Sequence, residues 1–398
     1  MPERPALAVL LLASSLTIMV ATILTPALPP MLDHFADHPS AAVLIPLVLT
    51  IPGLAVAVSA PLAGLLADKW GRVRILVGGL VLYAFAGASA LVLQSLEAII
   101  AGRIVLGIAA GCTMTCATAL IVDHWEGAAR RRALGFQASA LGFGGAVFPV
   151  IGGLLAEFGW RWPFAAYLCT IPLAALAAWA LKDAPRVNAA REASGSRFPV
   201  SLALVVLFLA GAGMLILYAI PLRVPFYLRE LGYHSTTLAA LTVALPSLAA
   251  ALAALNAGVL QSRVSHAGLV GLSFGVMALG YAIVGWSGSF IGLCIGMVAC
   301  GIGFGINTPN LVAWLQSRTP VDMRGRAAGA LTTAVCLGQF LATFVFAFLA
   351  RATTAPGTFA AVATACLAIA AAGLIGALAI SGFPHARAKA EQRARVPT

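Results

Sequence analysis

Long apolar runs alternate with short polar connections along the whole chain. Twelve runs stand out, at 6–31, 41–63, 75–93, 97–122, 133–156, 163–181, 199–221, 236–260, 267–287, 289–314, 327–350 and 358–382. One bilayer crossing takes about 20 apolar residues, so each run predicts one membrane-spanning helix. Only the fourth run carries charge, with Glu97 at its edge and Arg103 inside it. No strand pattern and no extramembrane domain interrupts the series. The fold class expected is therefore an all-α membrane protein with twelve transmembrane helices. The first run does not read as a cleaved leader. It is longer than the ~7–15 apolar residues of one and ends in Pro26, Pro29 and Pro30.

Composition agrees with that pattern. Of 398 residues, 61% are hydrophobic and 9% charged, against about 25% charged in soluble domains. A soluble enzyme is excluded. The net charge of +11 matters through its placement. Of the 24 Lys and Arg residues, 19 lie in the termini and one alternate set of connections, and 4 (Arg161, Arg223, Arg229 and Arg351) in the other set. Short loops rich in Lys and Arg stay in the cytoplasm. Both termini are expected inside, in a multi-pass protein of the inner (plasma) membrane. The basic balance is thus a topology signal, and the bilayer, not a nucleic acid, is the expected partner. The seven cysteines all fall in apolar runs at irregular spacing and read as small helix residues, with no disulfide, metal or cofactor expected.

One stretch departs from the pattern. Residues 182–198 are polar and rich in small side chains, as in a linker. They divide the chain into six-run halves at 1–181 and 199–382, followed by a tail at 383–398. An offset of 194 supports the division. It pairs Pro52 with Pro246, Gly64 with Gly258, Gly107 with Gly301, Gly111 with Gly305, Arg130 with Arg324, Gly135 with Gly329 and Gly144 with Gly338. Two homologous halves around a central site are a common plan for secondary transporters, with substrate held near the midplane.

The sharpest motif joins runs two and three: Gly64-Leu65-Leu66-Ala67-Asp68-Lys69-Trp70-Gly71-Arg72-Val73-Arg74. Gly64 would let a helix approach, and Gly71 permits a tight turn. Asp68 is the only acid in that loop, placed to meet a helix N-terminus or a cation of the other half. The stretch resembles the signature loop of the major facilitator superfamily, and the resemblance implies a conformational latch formed by Gly64, Asp68, Gly71 and Arg72. The second half has Ser262 where the acid would stand.

Arg103 shares a helix face with Gly107 and Gly111. A charge in a span is costly and turns toward the bundle or a wet cavity. Gly102 to Gly107 resembles the family's fourth-helix motif, which implies proton coupling by Arg103, with a purely structural role as the alternative. Its expected partners are Asp33, Asp123 or the substrate. Run five carries Gly135, Gly144, Pro149, Gly152 and Gly153. That spacing resembles the fifth-helix motif of the twelve-helix drug:proton antiporter branch, although Phe148 stands where glycine is usual. Pro149 should kink the helix near Gly145.

Polar positions in or beside the spans are Thr22, Thr25, Gln137, Asn256, Asn307, Asn310 and Gln339; they either line a substrate cavity or hydrogen-bond between helices. Tyr218 and Arg223, near the outer end of run seven, either hold an anionic or aromatic solute or anchor at the interface. Asp33, His34, Asp37 and His38 form a polar mouth. No acid lies in mid-span, and the six histidines lie outside the runs, so hydrolytic or transfer chemistry has no candidate site. The expectation is a monomeric secondary carrier exporting a small organic molecule in exchange for protons. The alternatives are an uptake carrier, proton-coupled or uniport, for a small metabolite, and a non-transporting membrane sensor.

Overall fold

The computed structural model describes residues 3–183, 200–320 and 323–394. Most of the expected linker, 184–198, lies outside the described residues. Among the described residues all regular structure is helical, and twelve helical segments are long and apolar enough to cross a membrane.

The first span is α1 (Glu3–Thr22), continued after a single 3-10 turn by α2 (Leu28–His34). Spans two to five are α3 (Ala41–Trp70), α4 (Arg72–Ala88), α5 (Leu96–His124) and α6 (Gly127–Ala156). The sixth enters as a 3-10 segment, Trp162–Cys169, and continues as α7 (Thr170–Ala180). The seventh is α8 (Val200–Leu217) with α9 (Ala219–Glu230). The eighth is α10 (Thr236–Leu255), broken at Asn256 before α11 (Ala257–Gln261). The last four are α12 (His266–Ser287), α13 (Phe290–Arg318), α14 (Arg324–Ala352) and α15 (Ala355–Ala394).

Four boundaries differ from the sequence expectation by six residues or more: α3 runs to Trp70, so 64–70 of the expected loop is helical, α6 starts at Gly127 and not at 133, and the ends of the seventh and last spans also move. Run seven was expected to stop at 221, yet α9 continues to Glu230. Pro221 falls in the first turn of α9, where a missing N–H breaks no helical bond, so the helix proceeds and brings Arg223 and Arg229 onto it. The last helix also passes 382 and reaches Ala394, so the first part of the expected tail continues it.

The offset of 194 holds for the helices themselves. Adding it to Leu96–His124 gives 290–318, the bounds of α13. The start of α4 maps onto the start of α12. Ser95 and Ser289, also one offset apart, each cap their helix by accepting an N–H three residues on. Packing repeats as well. Gly107 of α5 lies against the Pro52 carbonyl of α3, and Gly301 of α13 against the Pro246 carbonyl of α10. Corresponding helices are also pinned by a buried tyrosine in each half: Tyr83 donates to the Leu16 carbonyl (2.6 Å) and Tyr281 to the Ile216 carbonyl (2.7 Å). Such satisfied polar contacts hold helices together where lipid supplies no hydrophobic drive between them.

The two sets of six meet through symmetry-related pairs, α3 with α14 and α6 with α10. We call the two ends of the bundle by their acids. The Asp33 end holds the turns after α2, α4, α6, α9, α12 and α14; the Asp68 end holds the others.

Candidate functional site

The signature loop is built around a backbone turn. Gly71 ends α3 and precedes α4 with φ of +98°, a conformation that costs a side chain but not glycine. A Cβ there would also lie 2.5 Å from the Asp183 carboxylate. Asp183 follows the sixth span and accepts the Val73 N–H at 2.9 Å, so it caps the N-terminus of α4, where a negative charge is favoured. Asp68, expected to meet a helix N-terminus or a cation of the other half, does neither among the described contacts. Asp68 instead is exposed and meets Arg72 one turn on, at 3.7 Å. Arg72 pairs with Asp123 at the end of α5 and donates to the Ala119 carbonyl at 3.2 Å. A Cβ on Gly64 would meet only Thr115, at an ordinary 3.9 Å. Gly71→Ala is expected to destabilise the protein by about 1–2 kcal/mol, with Asp183→Ala relieving the steric part of that loss. Thermal unfolding of both variants and their double checks it.

Arg103 is 1% exposed. Its guanidinium donates from Nε to the Val48 carbonyl (2.8 Å), from Nη1 to the Tyr167 hydroxyl (2.8 Å) and from Nη2 to the Val20 carbonyl (2.5 Å). Both carbonyls have a local cause. Pro52, four residues after Val48, has no N–H to offer it, and Val20 sits in the last turn of α1, whose carbonyls have no intrahelical donor. The arginine thus ties α1, α3 and the sixth span to α5. Neither Asp33 nor Asp123, the acids considered from sequence, is its partner: each is paired at an opposite end of the bundle. The position one offset on is Met297, buried and apolar, so this device belongs to the first half only.

The glycines of α6 separate into three roles. Gly135 and its offset mate Gly329 have open space around them. Gly144 makes room for the Phe148 ring of its own helix, 2.9 Å from where a Cβ would be. Gly152 abuts the Ile23 carbonyl, and Gly153 abuts α10, where a Cβ on it would lie 2.8 Å from the Thr236 carbonyl oxygen and would meet Ala240. Phe148, which from sequence put close packing in question, therefore does not prevent it, because Gly144 receives the ring. Pro149 is buried within α6.

Of the polar candidates, Gln137 donates to Ser14 (2.8 Å) and Thr118 (2.9 Å) within the first half. Asn307 accepts from Ser273 at 3.3 Å, and Asn310 bonds His266 through its ring at 2.7 Å and its carbonyl at 3.0 Å. Asn256 bonds its own helix at the exposed break after α10. These four join or cap helices. Thr22 is half-buried and bonds the Ile18 carbonyl of α1. Thr25 is buried with an unpartnered hydroxyl. Gln339 of α14 packs against Gly53 of α3, 2.7 Å from where a Cβ would be. Tyr218 is buried at the start of α9. Arg223 lines a cavity between the halves, and its buried Nε has no partner.

Contacts between the halves gather at the Asp33 end. Arg229 of α9 pairs with Asp33 at 2.6 Å. Glu157, just beyond α6, accepts from the Ser235 hydroxyl (2.9 Å) and the Thr237 N–H (3.0 Å) at the start of α10. The Thr236 hydroxyl donates to the Gly153 carbonyl at 2.9 Å, and Thr50 meets Thr343. The Glu157 carboxyl is held below its ordinary value by the Thr237 N–H and the Ser235 hydroxyl. At the Asp68 end the polar contacts described above stay inside one half. There a Cβ added at Gly135, Gly258 or Gly329 would meet open space. Sequence reasoning missed Asp183, Tyr167 and the Glu157 contact. Signals existed: an acid directly after run six, Pro52 four residues past Val48, and Ser235 heading run eight opposite an acid at the end of run five.

Together these observations define a multi-pass helical membrane protein of two similar six-helix sets whose polar contacts with each other, among the described residues, gather at the Asp33 end. The chain belongs to the Major Facilitator Superfamily, a family of membrane transporters, which residues 10–343 match. It is 29% identical over 156 residues to the quinolone resistance protein NorB of Staphylococcus aureus (strain Newman), a match covering 39% of this chain and 33% of that protein. The matched segment thus spans about a third of that relative's length. In structure it is similar to a D-xylose–proton symporter, with TM-score 0.77, 17% identity and coverage of 95% and 97% of the two chains. It is also similar to the human organic anion transporter MFSD10 (TETRAN), with TM-score 0.68, 16% identity and coverage of 93% and 99%.

Proposed function

We propose that this chain is a secondary carrier that moves a small organic solute across the membrane by alternating access, with protons as the coupling ion. The observation that carries the reading is the gathering of inter-half polar contacts, among the described residues, at the Asp33 end. Rocking the halves 1–181 and 199–382 about their midplane contacts, α3 on α14 and α6 on α10, would exchange the open end. In that second state Asp68, exposed here, would latch the opposite end. Arg103, enclosed by neutral groups, would act as a positioning residue that keeps the first half rigid.

We read the direction as proton-coupled uptake of a small metabolite. The fifth-span glycine spacing, which resembles an antiporter motif, has a packing cause at Gly144, Gly152 and Gly153, and packing of that kind is needed whichever way solute moves. No acid lies in mid-span to hold a cationic drug. Export by proton exchange, as in the drug:proton antiporter branch, is the second reading, favoured by the similarity to NorB. The test is transport in liposomes of known orientation. Accumulation of a radiolabelled solute from the acidic side, with its proton, supports uptake; solute counterflow toward the acidic side supports export. Absence of any solute movement under a pH gradient, across a panel of sugars, carboxylates and quinolones, overturns the carrier reading.

Two expected results follow from this account. The Glu157 contact should be pH-dependent. Its carboxyl is depressed from 4.5, so the contact is fully present above that value and is lost as pH falls through the lowered one. Acid at that face, or Glu157→Gln, is expected to shift the population toward the state open at the Asp33 end, read by alkylation of cysteines introduced there. The topology is the second. Reporter fusions at Ser194 and Thr398 are expected to give cytoplasmic signals and one at Asp37 a periplasmic signal, in the inner membrane. A periplasmic signal at Ser194 would exclude an even number of crossings before it.

A further inference from the structure

The cavity at the Asp33 end measures about 470 Å³ and is walled by both halves. Leu32, Ile45 and Pro46 come from the first half, and Arg223, Phe226 and Phe346 from the second. Its volume lies in the range of small-molecule sites, and its lining is mostly apolar with a single cation, the usual make-up of such sites. Arg223 belongs to the seventh span. A guanidinium in a span normally finds a carboxylate or carbonyl partner, as Arg103 does. Arg223 forms no ion pair among the described residues, and its Nε is shut off from water without an acceptor. The other charged wall residue is Glu230, two helical turns further along α9, about 10 Å by helical rise. It forms no ion pair with Arg223 among the described residues, although its charge acts on the arginine, and it would repel a second negative charge.

We propose that this cavity binds a small organic monocarboxylate with an apolar body, its carboxylate held by the Arg223 guanidinium. The inference deepens the carrier reading, on which it rests for the meaning of the two halves. The chemistry fits the vacant donor. A carboxylate takes two parallel N–H bonds from a guanidinium, and the Arg223 guanidinium pairs with no acid among the described residues. Phe226 and Phe346 would cover the apolar body, and the Glu230 charge would exclude dicarboxylates. Both halves form the wall, so the anion would fit best the state closed at the Asp33 end, in which solute taken in from that end is held before release at the other. Binding of this kind shifts the population toward the state it fits.

The test is binding to the purified full-length protein in phosphatidylcholine nanodiscs, by calorimetry and thermal shift, with acetate, isovalerate and phenylacetate as probes. Phenylacetamide supplies the same body without charge, and phenylsuccinate adds a second carboxylate. We expect phenylacetate and isovalerate to bind at least tenfold more tightly than acetate, phenylacetamide and phenylsuccinate. Arg223→Gln should lose that binding and Arg223→Lys should recover part of it. Arg223→Gln removes an unpartnered charge, so it is expected to fold; a monodisperse elution profile verifies this, and Phe346→Trp, which fills the cavity and leaves the arginine, provides a second variant that should also lose binding. Equal binding of phenylacetate and phenylacetamide, undiminished binding in Arg223→Gln, or no binding by any probe overturns the proposal. So does loss of the phenylacetate signal when phosphatidylglycerol replaces part of the lipid, which would assign the arginine to a lipid phosphate. The readout is independent of transport. Arg223-dependent binding without pH-driven flux would sink the carrier reading alone, and flux without such binding would sink this inference alone.

Discussion

Arg103→Ala is expected to lower stability by about 3 kcal/mol and to abolish gradient-driven transport. The magnitude follows from the three acceptors left behind, the Val48 and Val20 carbonyls and the Tyr167 hydroxyl. Leaving one buried polar group unsatisfied costs about 1–3 kcal/mol, and partial relaxation in the membrane reduces the sum. The cavity left by a fully buried side chain of this size adds to the loss. Arg103→Lys should recover only part of it, because an ammonium lacks the planar fork that reaches three directions at once. Thermal unfolding in detergent, with flux in liposomes, separates the two effects. If Arg103→Ala unfolds at the wild-type temperature yet transports nothing, the arginine acts in coupling and not in positioning.

The second large effect is expected at Gly153. Any side chain there meets Ala240 and Thr236 of the opposite half, so Gly153→Leu should prise α6 from α10 at the Asp33 end. The same substitution at Gly135 meets open space and should leave the equilibrium near that of the wild type. We expect Gly153→Leu to raise the population open at the Asp33 end about tenfold, ~1.4 kcal/mol. Alkylation of a cysteine introduced at Asp37 measures it. Equal labelling in both variants would contradict the assignment of Gly153 to the closed interface.

The spans were legible because a bilayer demands long apolar runs, and their duplication was legible because glycines and prolines mark helix contacts and breaks. Pro52/Gly107 and Pro246/Gly301 are the clearest case: one sequence offset became one packing contact repeated in each half. The continuation of α9 to Glu230 was not legible, since Pro221 looks like a terminator until its place in the first turn is known. Polar partners were harder still. Gln137, Asn307 and Asn310 stand in spans as cavity residues would, and only three-dimensional proximity pairs them with Ser14 and Thr118, Ser273 and His266. Arg103 was identifiable as costly, but its acceptors are backbone carbonyls, which carry no side-chain signature. Asp68 and Asp183 illustrate the same limit, because either acid could cap α4 by charge, and only the path of the sixth span brings Asp183 to the Val73 N–H.

Alternating access is tested most directly by measuring both ends at once. In a chain whose seven native cysteines are replaced, spin-label pairs at Asp37 with His234 and at Ala128 with Arg263 would report the Asp33 and Asp68 ends across the halves by pulsed dipolar spectroscopy. The account predicts a short first distance and a long second one at neutral pH. Acidification or Gly153→Leu should lengthen the first and shorten the second in the same sample. Two distances that lengthen together, or that both stay fixed under each perturbation, would contradict it.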